Sequence, residues 1–417
     1  MTKEFKKLGL TLYEETMSSG LRVFVVPKDN VNNIYATLTS NYGSVDTKFK
    51  IDGKLVTSPD GIAHFLEHKM FEQKDGIDPF TIFDQNGANA NANTSNYRTS
   101  YLFAGPSHFK ENLNMLLDFV FEPYFTDENV EKEKGIIIQE IKMGNDEIGR
   151  VGYNKTLENS FVKNPIRVKV IGSVESVSNT TKEDLDICYK AFYQPSNMFL
   201  VVTGNVNPKE VFNIVRENEK NKSFEKHDVE KIKYEEPDKV AKIKDTINMN
   251  LSIPKVYYSY KLNISNIDLE KRFIMKYLTI YFDALYGSVS DFEEEIEKEK
   301  ICDDGVEFMI SKTDTHYLVT FMAECKNTNK LIKTIDKYIG HDITLNDFNR
   351  KKKVILASNI FMSDNIYSIN NKITNDILDN NEVITDIYEE NESLKYEDLL
   401  NLIKKLDFKN TCEVVIK

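Results

Sequence analysis

The sequence predicts an α+β protein of two related domains, each a mainly antiparallel sheet packed with helices. Three observations carry that expectation. At 417 residues the chain is too long for one ordinary domain and about right for two hydrophobic cores. Short apolar runs bounded by turn residues are interspersed with segments whose apolar residues recur every three or four positions, as expected of sheets covered by helices. That order begins again after a strongly charged stretch, so two halves of similar plan follow one another without a residue-level repeat.

The first half opens with strands over Leu10–Glu15 and Leu21–Val26, and Ser18-Ser19-Gly20 between them is a hairpin turn signal. A third strand covers Tyr35–Ser40, and helical periodicity appears from Gly61 to Phe71. Strands at Ala88–Thr94 and Thr99–Ala104 precede helices at Phe109–Phe121 and Glu128–Met143. The run NMFLVVTG, from Asn197 to Gly204, reads as a buried strand closing the first sheet. From Glu217 to Asp245 the sequence is dominated by Glu, Lys, Asn and Asp, and such a segment buries too little apolar area to fold by itself. The expected organisation is therefore an N-terminal domain over 1–216, a charged linker over 217–245 and a related C-terminal domain over 246–417. The second half predicts a strand at Val256–Leu262, a helix at Leu269–Tyr286, strands at Val306–Ile310 and His316–Ala323, and helices to the end. The acidic run Asp291–Lys300 reads as a solvated helix face.

Composition narrows the function. The chain is 41% hydrophobic and 29% charged, which is globular. With 54 Lys and Arg against 66 Asp and Glu, its net charge of −12 argues against a protein that neutralises nucleic-acid phosphates. The first ten residues, MTKEFKKLGL, carry charge where a secretory signal would be apolar, and no run reaches the length of a bilayer span. The four cysteines, at 188, 302, 325 and 412, lie far apart with no CxxC pair. They are expected as reduced, mostly buried thiols of a cytoplasmic protein.

The chemistry is concentrated in His64-Phe65-Leu66-Glu67-His68. One helical turn brings His64 and His68 onto one face with Glu67 beside them, so two imidazoles can grip one ion while a carboxylate reaches its water. A catalytic zinc needs a third protein ligand and an open position. Glu140 is the natural candidate, lying among Ile136, Ile137, Ile138 and Ile141 in a helix with an expected buried surface, where a carboxylate needs a cation or a strong hydrogen-bond partner. Glu133, two turns earlier on the same face, is either a solvated salt-bridge residue or a carboxylate that orients a ligand or receives substrate amines. His108, His227, His316 and His341 have no partner at ligand spacing and read as surface or capped residues.

These residues resemble the pitrilysin-like zinc peptidases, the inverzincin family of insulin-degrading enzyme and the mitochondrial processing peptidase, whose mark is the inverted HxxEH motif. DGIAHFLEHKMFE, GANANANTSNYRTSYLF, FVFEPYF, VEKEKGIIIQEI, NPIRVKVIGSVESV and YQPSNMFLVVTGN fall in the family's order along most of residues 20–205. The chain is most similar to short bacterial members with two domains, and the resemblance implies one half of a clamshell chamber. It further implies one Zn²⁺ per chain held by His64, His68 and Glu140, with Glu67 as general base in peptide hydrolysis. The segment Ala90, Asn91, Ala92, Asn93, Thr94, Ser95 resembles the edge strand to which an extended peptide substrate adds.

One departure stands out. Family members carry in the C-terminal domain an Arg, and a Tyr seven residues later, that bind the scissile carbonyl. The matching stretch here, YGSVSDFEEEIEKEKICDDGVEF, has no Arg and no Tyr after Tyr286. The only arginines beyond residue 245 are Arg272 and Arg350, and seven residues after them stand Thr279 and Ala357. The expectation is a zinc endopeptidase subunit acting on unfolded peptides, partnered by a homologous chain that supplies the pair in a heterodimer, with a homodimer as the other possibility. Two competing readings are a non-catalytic chamber or peptide-binding subunit and a zinc-stabilised scaffold. The retained Glu67 argues against the first, and the lack of a fourth Cys or His nearby against the second.

Overall fold

The structure, a computed structural model, describes residues 1–417. Its contacts divide the chain into two compact units, Met1–Lys142 with Lys169–Lys233 and Ser358–Tyr388, and Met143–Val168 with Tyr234–Ala357 and Glu389–Lys417.

The first unit carries strands β1 (Thr2–Phe5), β2 (Leu10–Thr16), β3 (Arg22–Pro27), β4 (Ile34–Ser40), β5 (Lys48–Ile51), β6 (Lys54–Thr57), β7 (Asn89–Thr94), β8 (Thr99–Gly105), β9 (Met198–Gly204) and β10 (Val229–Lys231). Seven form one sheet in the order β1-β2-β3-β9-β4-β8-β7, and the other three form a small sheet, β10-β5-β6. Neighbours in the large sheet are antiparallel except β3 and β9. The NMFLVVTG strand does not close this sheet: it is buried along its whole length between β3 and β4. Continuous apolar runs such as this one belong to strands covered on both faces.

On one face Ala36, Leu38, Leu200 and Val202 join a core with Phe65, Leu66, Leu113, Leu116 and Leu117 from the helices Ile62–Met70 and Phe109–Phe121. The helix Ile366–Asn380 covers the other face, setting Ile369, Ile373 and Ile377 against Phe24, Val26, Phe199 and Val201. Its polar contacts are satisfied: Thr37 donates to Asn370 Oδ1 at 2.8 Å, Asn370 Nδ2 to the Val201 carbonyl at 3.0 Å, and Thr203 to the Ile366 carbonyl at 2.9 Å. A segment from the predicted C-terminal domain thus completes the first unit. The charged 217–245 stretch contributes short strands to both units, because pairing with other segments supplies what it cannot bury alone.

The second unit has a five-stranded sheet, β11 (Lys244–Ile247), β12 (Lys255–Asn263), β13 (Glu307–Lys312), β14 (His316–Glu324) and β15 (Thr411–Ile416), in the order β11-β15-β12-β14-β13. The expectation of helices to the end is corrected here. The last element is a strand in the sheet interior, parallel to β11 and antiparallel to β12. The helix Ile148–Ser160 lies against Tyr257 of β12, and Gly152 is required there because a Cβ would sit 2.1 Å from the tyrosine ring. The Asp291–Lys298 helix is solvated except at Phe292 and Ile296. Cys188, Cys325 and Cys412 are buried and Cys302 half-buried, all as free thiols. No helix is long and apolar enough to cross a membrane.

Candidate metal centre

The motif helix Ile62–Met70 buries Ile62, Ala63, Phe65, Leu66, Lys69 and Met70, leaving His64, Glu67 and His68 on its half-exposed side. Its start is fixed by backbone contact. Gly61 has φ 88° and no room for a side chain, since a Cβ would lie 2.4 Å from the Ile171 carbonyl oxygen. Only glycine meets both conditions without strain. At the other end Lys69, fully buried, pairs with Glu72 and donates to the Asn129 carbonyl at 3.1 Å, tying this helix to the Asp127–Gly144 helix.

That second helix delivers the acidic residues. His64 Nε2 and His68 Nε2 each lie 3.6 Å from Glu140 Oε2. One ligand atom from each of the three lies within 4.8 Å of the others. A separation of 3.6 Å is longer than a hydrogen bond. It is close to the edge of about 3.3 Å that a tetrahedral zinc with ligand bonds of about 2.0–2.1 Å requires. Two imidazoles and one carboxylate are also the donor types zinc takes in open catalytic sites, so the residues fit the ion.

Glu133 is not solvated: its Oε1 stands 2.9 Å from His68 Nδ1, which leaves Nε2 of that ring toward Glu140. Burial favours the neutral acid at Glu133, but the His68 hydrogen bond and the Lys69 charge outweigh it and hold the carboxyl below its ordinary value. Burial also opposes protonation of His68, yet Glu133, Glu67 and Glu140 together raise its pKa. At Glu67 burial wins, lifting the carboxyl above the usual range against the pull of a hydrogen bond from Thr94 and of His68. Of the four isoleucines expected to be buried, Ile137 and Ile141 are, Ile138 partly so, and Ile136 is exposed. The helix has one apolar stripe where the sequence shows a block.

β7 is the edge strand of the seven-stranded sheet, with Asn89, Asn91 and Asn93 exposed and Ala90, Ala92 and Thr94 half-buried. Ser95 lies beyond it, in the hairpin turn. The Ser95 N–H donates to Arg98 O at 2.8 Å and its carbonyl accepts from the Ser44 N–H, so its main chain is already used. Because hydrogen-bonded pairs alternate along an antiparallel ladder, the Ser95–Arg98 bond sets the phase: Asn93 and Asn91 point main-chain groups into the sheet, and Thr94, Ala92 and Ala90 point theirs to the open edge. In agreement, the Ala92 N–H is covered by the Asn91 side chain at 2.8 Å. The side chain of Thr94 was not legible as a site group: its hydroxyl donates to Glu67 Oε2 at 2.5 Å.

The remaining histidines are held elsewhere. His227 Nδ1 meets Asp52 at 2.8 Å, and His316, buried and so the capped rather than the surface kind expected, meets Asp238 at 3.1 Å. Arg272 is paired with Glu270 at 2.8 Å and Arg350 with Asp347 at 2.9 Å.

Comparison with known proteins bears on the same residues. The family model described as Insulinase (Peptidase family M16) matches residues 55–172, a span containing the histidine motif, β7, Glu133 and Glu140. The Peptidase M16 inactive domain model matches residues 179–354. The uncharacterized zinc protease YmfH of Bacillus subtilis (strain 168) is 41% identical over 310 residues, 73% of this chain and 72% of that protein. A zinc protease of Rickettsia felis is 27% identical over 195 residues, 46% of this chain and 45% of that one. Among solved structures, an M16-like peptidase from Alicyclobacillus acidocaldarius superposes with a TM-score of 0.92 at 30% identity, covering 98% of this chain and 99% of that one. With both family models matched in order along most of its length, the chain belongs to peptidase family M16, the insulinase family.

Proposed function

We propose that the chain is a zinc-dependent endopeptidase subunit that cleaves unfolded peptides within a chamber formed with a second, related chain. The observation that carries this reading is the convergence of His64 Nε2 and His68 Nε2 on Glu140 Oε2 at 3.6 Å, with the Glu67 carboxylate on the same helix face. Bound by these three residues, one zinc ion per chain would supply Lewis-acid chemistry, acidifying a water and polarising the peptide carbonyl. Glu67 takes the proton of the attacking water and gives it to the leaving amine as the C–N bond breaks. Glu133 holds the His68 ring in the ligating orientation from behind. Ala90, Ala92 and Thr94 turn main-chain groups to the open edge, where an extended peptide docks as an added strand after displacing the Asn91 side chain from the Ala92 N–H. The N-terminal domain supplies this machinery, and the C-terminal domain, without a metal motif, builds chamber wall. The free thiols suit a reducing compartment, which we take to be the cytoplasm.

The alternative, a non-catalytic chamber or peptide-binding subunit, is favoured by one observation: no Arg–Tyr pair stands in the C-terminal half. The test is metal content together with cleavage of a mixed peptide library, with and without the related chain from the same genome. About one zinc per chain and library cleavage that disappears in Glu67→Gln, with zinc retained, is the expected result. Zinc loss in that variant, or undiminished cleavage, would remove Glu67 from the role of base.

A further inference from the structure

We propose that Thr94 is a positioning residue that sets the Glu67 carboxylate for proton transfer and links it to the strand on which substrate lies; this rests on the reading of Glu67 as the base. The geometry is specific. Thr94 Oγ1 donates to Glu67 Oε2 at 2.5 Å, the range of a hydrogen bond to a charged acceptor. A threonine hydroxyl has one proton to give, and Glu67 receives it. The neighbouring Thr99 hydroxyl, 3.4 Å away, donates instead to the Tyr42 carbonyl at 3.0 Å, so it does not compete for Glu67. The hydroxyl thereby holds Oε2, and the Thr94 N–H bonds the same carboxylate, so one residue fixes the base through two donors.

The same residue faces two ways. By the ladder phase its carbonyl points to the open edge where a peptide would pair, while its hydroxyl and its N–H reach the base. A peptide that seats on β7 therefore presses on the residue that fixes Glu67. A long glutamate side chain with three rotatable bonds would otherwise sample several positions, and a misplacement of about 1 Å can cost about 10²-fold in rate.

Thr94→Val replaces the hydroxyl by a methyl group at constant shape and keeps the β-branched strand residue. It should lower kcat by about 10²-fold while KM and zinc content stay near native, and Thr94→Ser should recover most of the loss. Crystal structures of the two variants give a readout independent of turnover: the Glu67 carboxylate should leave its position in Thr94→Val and keep it in Thr94→Ser. A Thr94→Val protein with Glu67 in place and native kcat overturns the proposal, as does a rise confined to KM, or a Thr94→Ser protein as damaged as Thr94→Val. If Glu67→Gln retains cleavage, the base assignment itself fails; if Glu67→Gln is dead and Thr94→Val fully active, only the positioning role falls.

Discussion

Glu133 shows how one carboxylate is placed by its surroundings. Its 2.9 Å contact to His68 Nδ1 fixes the ring so that Nε2 addresses Glu140. Glu133→Gln keeps the shape but loses the charge that makes His68 a stronger donor to metal. Loss of such outer partners typically weakens metal binding by about 10–100-fold, which competition with a zinc chelator would read; an unchanged affinity would leave Glu133 as a spacer. A second residue, Glu236, bears on stability. In the second unit its carboxylate meets buried Lys261 at 2.5 Å and accepts from the N–H groups of Val162, Lys163 and Asn164 at 2.8, 2.7 and 2.7 Å. Burial alone would raise its pKa, but these donors outweigh it and hold the carboxyl below the ordinary range. A depressed folded value contributes stability above the unfolded pKa, which is lost as pH falls through the folded one. Glu236→Gln, leaving the buried Lys261 charge without a carboxylate and held only by the Pro237 and Lys239 carbonyls, should cost about 3 kcal/mol near neutral pH. Thermal unfolding should show that gap narrowing in acid.

At the scale of elements, what the sequence reveals is what depends on neighbours in sequence. The helix of His64 and His68 is legible because ligand spacing and the apolar residues 62, 63, 65, 66 and 70 agree on one register. The place of the last strand is not: TCEVVI falls where helices are expected to run to the end, and only pairing with residues about 150 positions earlier in the chain puts it in the sheet interior. The side-chain alternation of β7 is visible in ANANANT, yet the direction of its main-chain groups depends on the turn at Ser95–Arg98. That turn yields a sharp prediction about substrate capture. Ala92→Pro removes an open-edge donor and should raise KM about tenfold, the worth of roughly one hydrogen bond. Asn91→Ala, which uncovers the Ala92 N–H, should lower KM. Proline at Asn93 would instead break the bond into β8 and damage the hairpin itself. Peptide kinetics with the two variants moving KM in the same direction would rule out strand addition at this edge.

For the whole molecule, the proposed peptidase reaction turns on where the charge developing on a scissile carbonyl oxygen would find its donors. On the proposed reading the histidines, Glu67 and Glu140 furnish the nucleophile, but beyond residue 245 no Arg–Tyr pair awaits an oxyanion: Arg272 and Arg350 are engaged by Glu270 and Asp347, Thr279 donates to the Met275 carbonyl, and position 357 is alanine. Removing a single such donor costs about 10²–10³ in kcat in well-studied hydrolases. The isolated chain should therefore turn over peptides weakly. Titrating it with a homologous chain that carries the Arg–Tyr pair should raise kcat by about 10² or more, saturating at a one-to-one ratio, whereas a homodimer encloses substrate without adding the donors. Substituting the partner's Arg should abolish the gain without separating the chains, which distinguishes chemistry from mere enclosure. Full activity from the isolated chain, with light scattering reporting monomer or homodimer, would mean that another group in this chain stabilises the oxyanion and that no partner is needed.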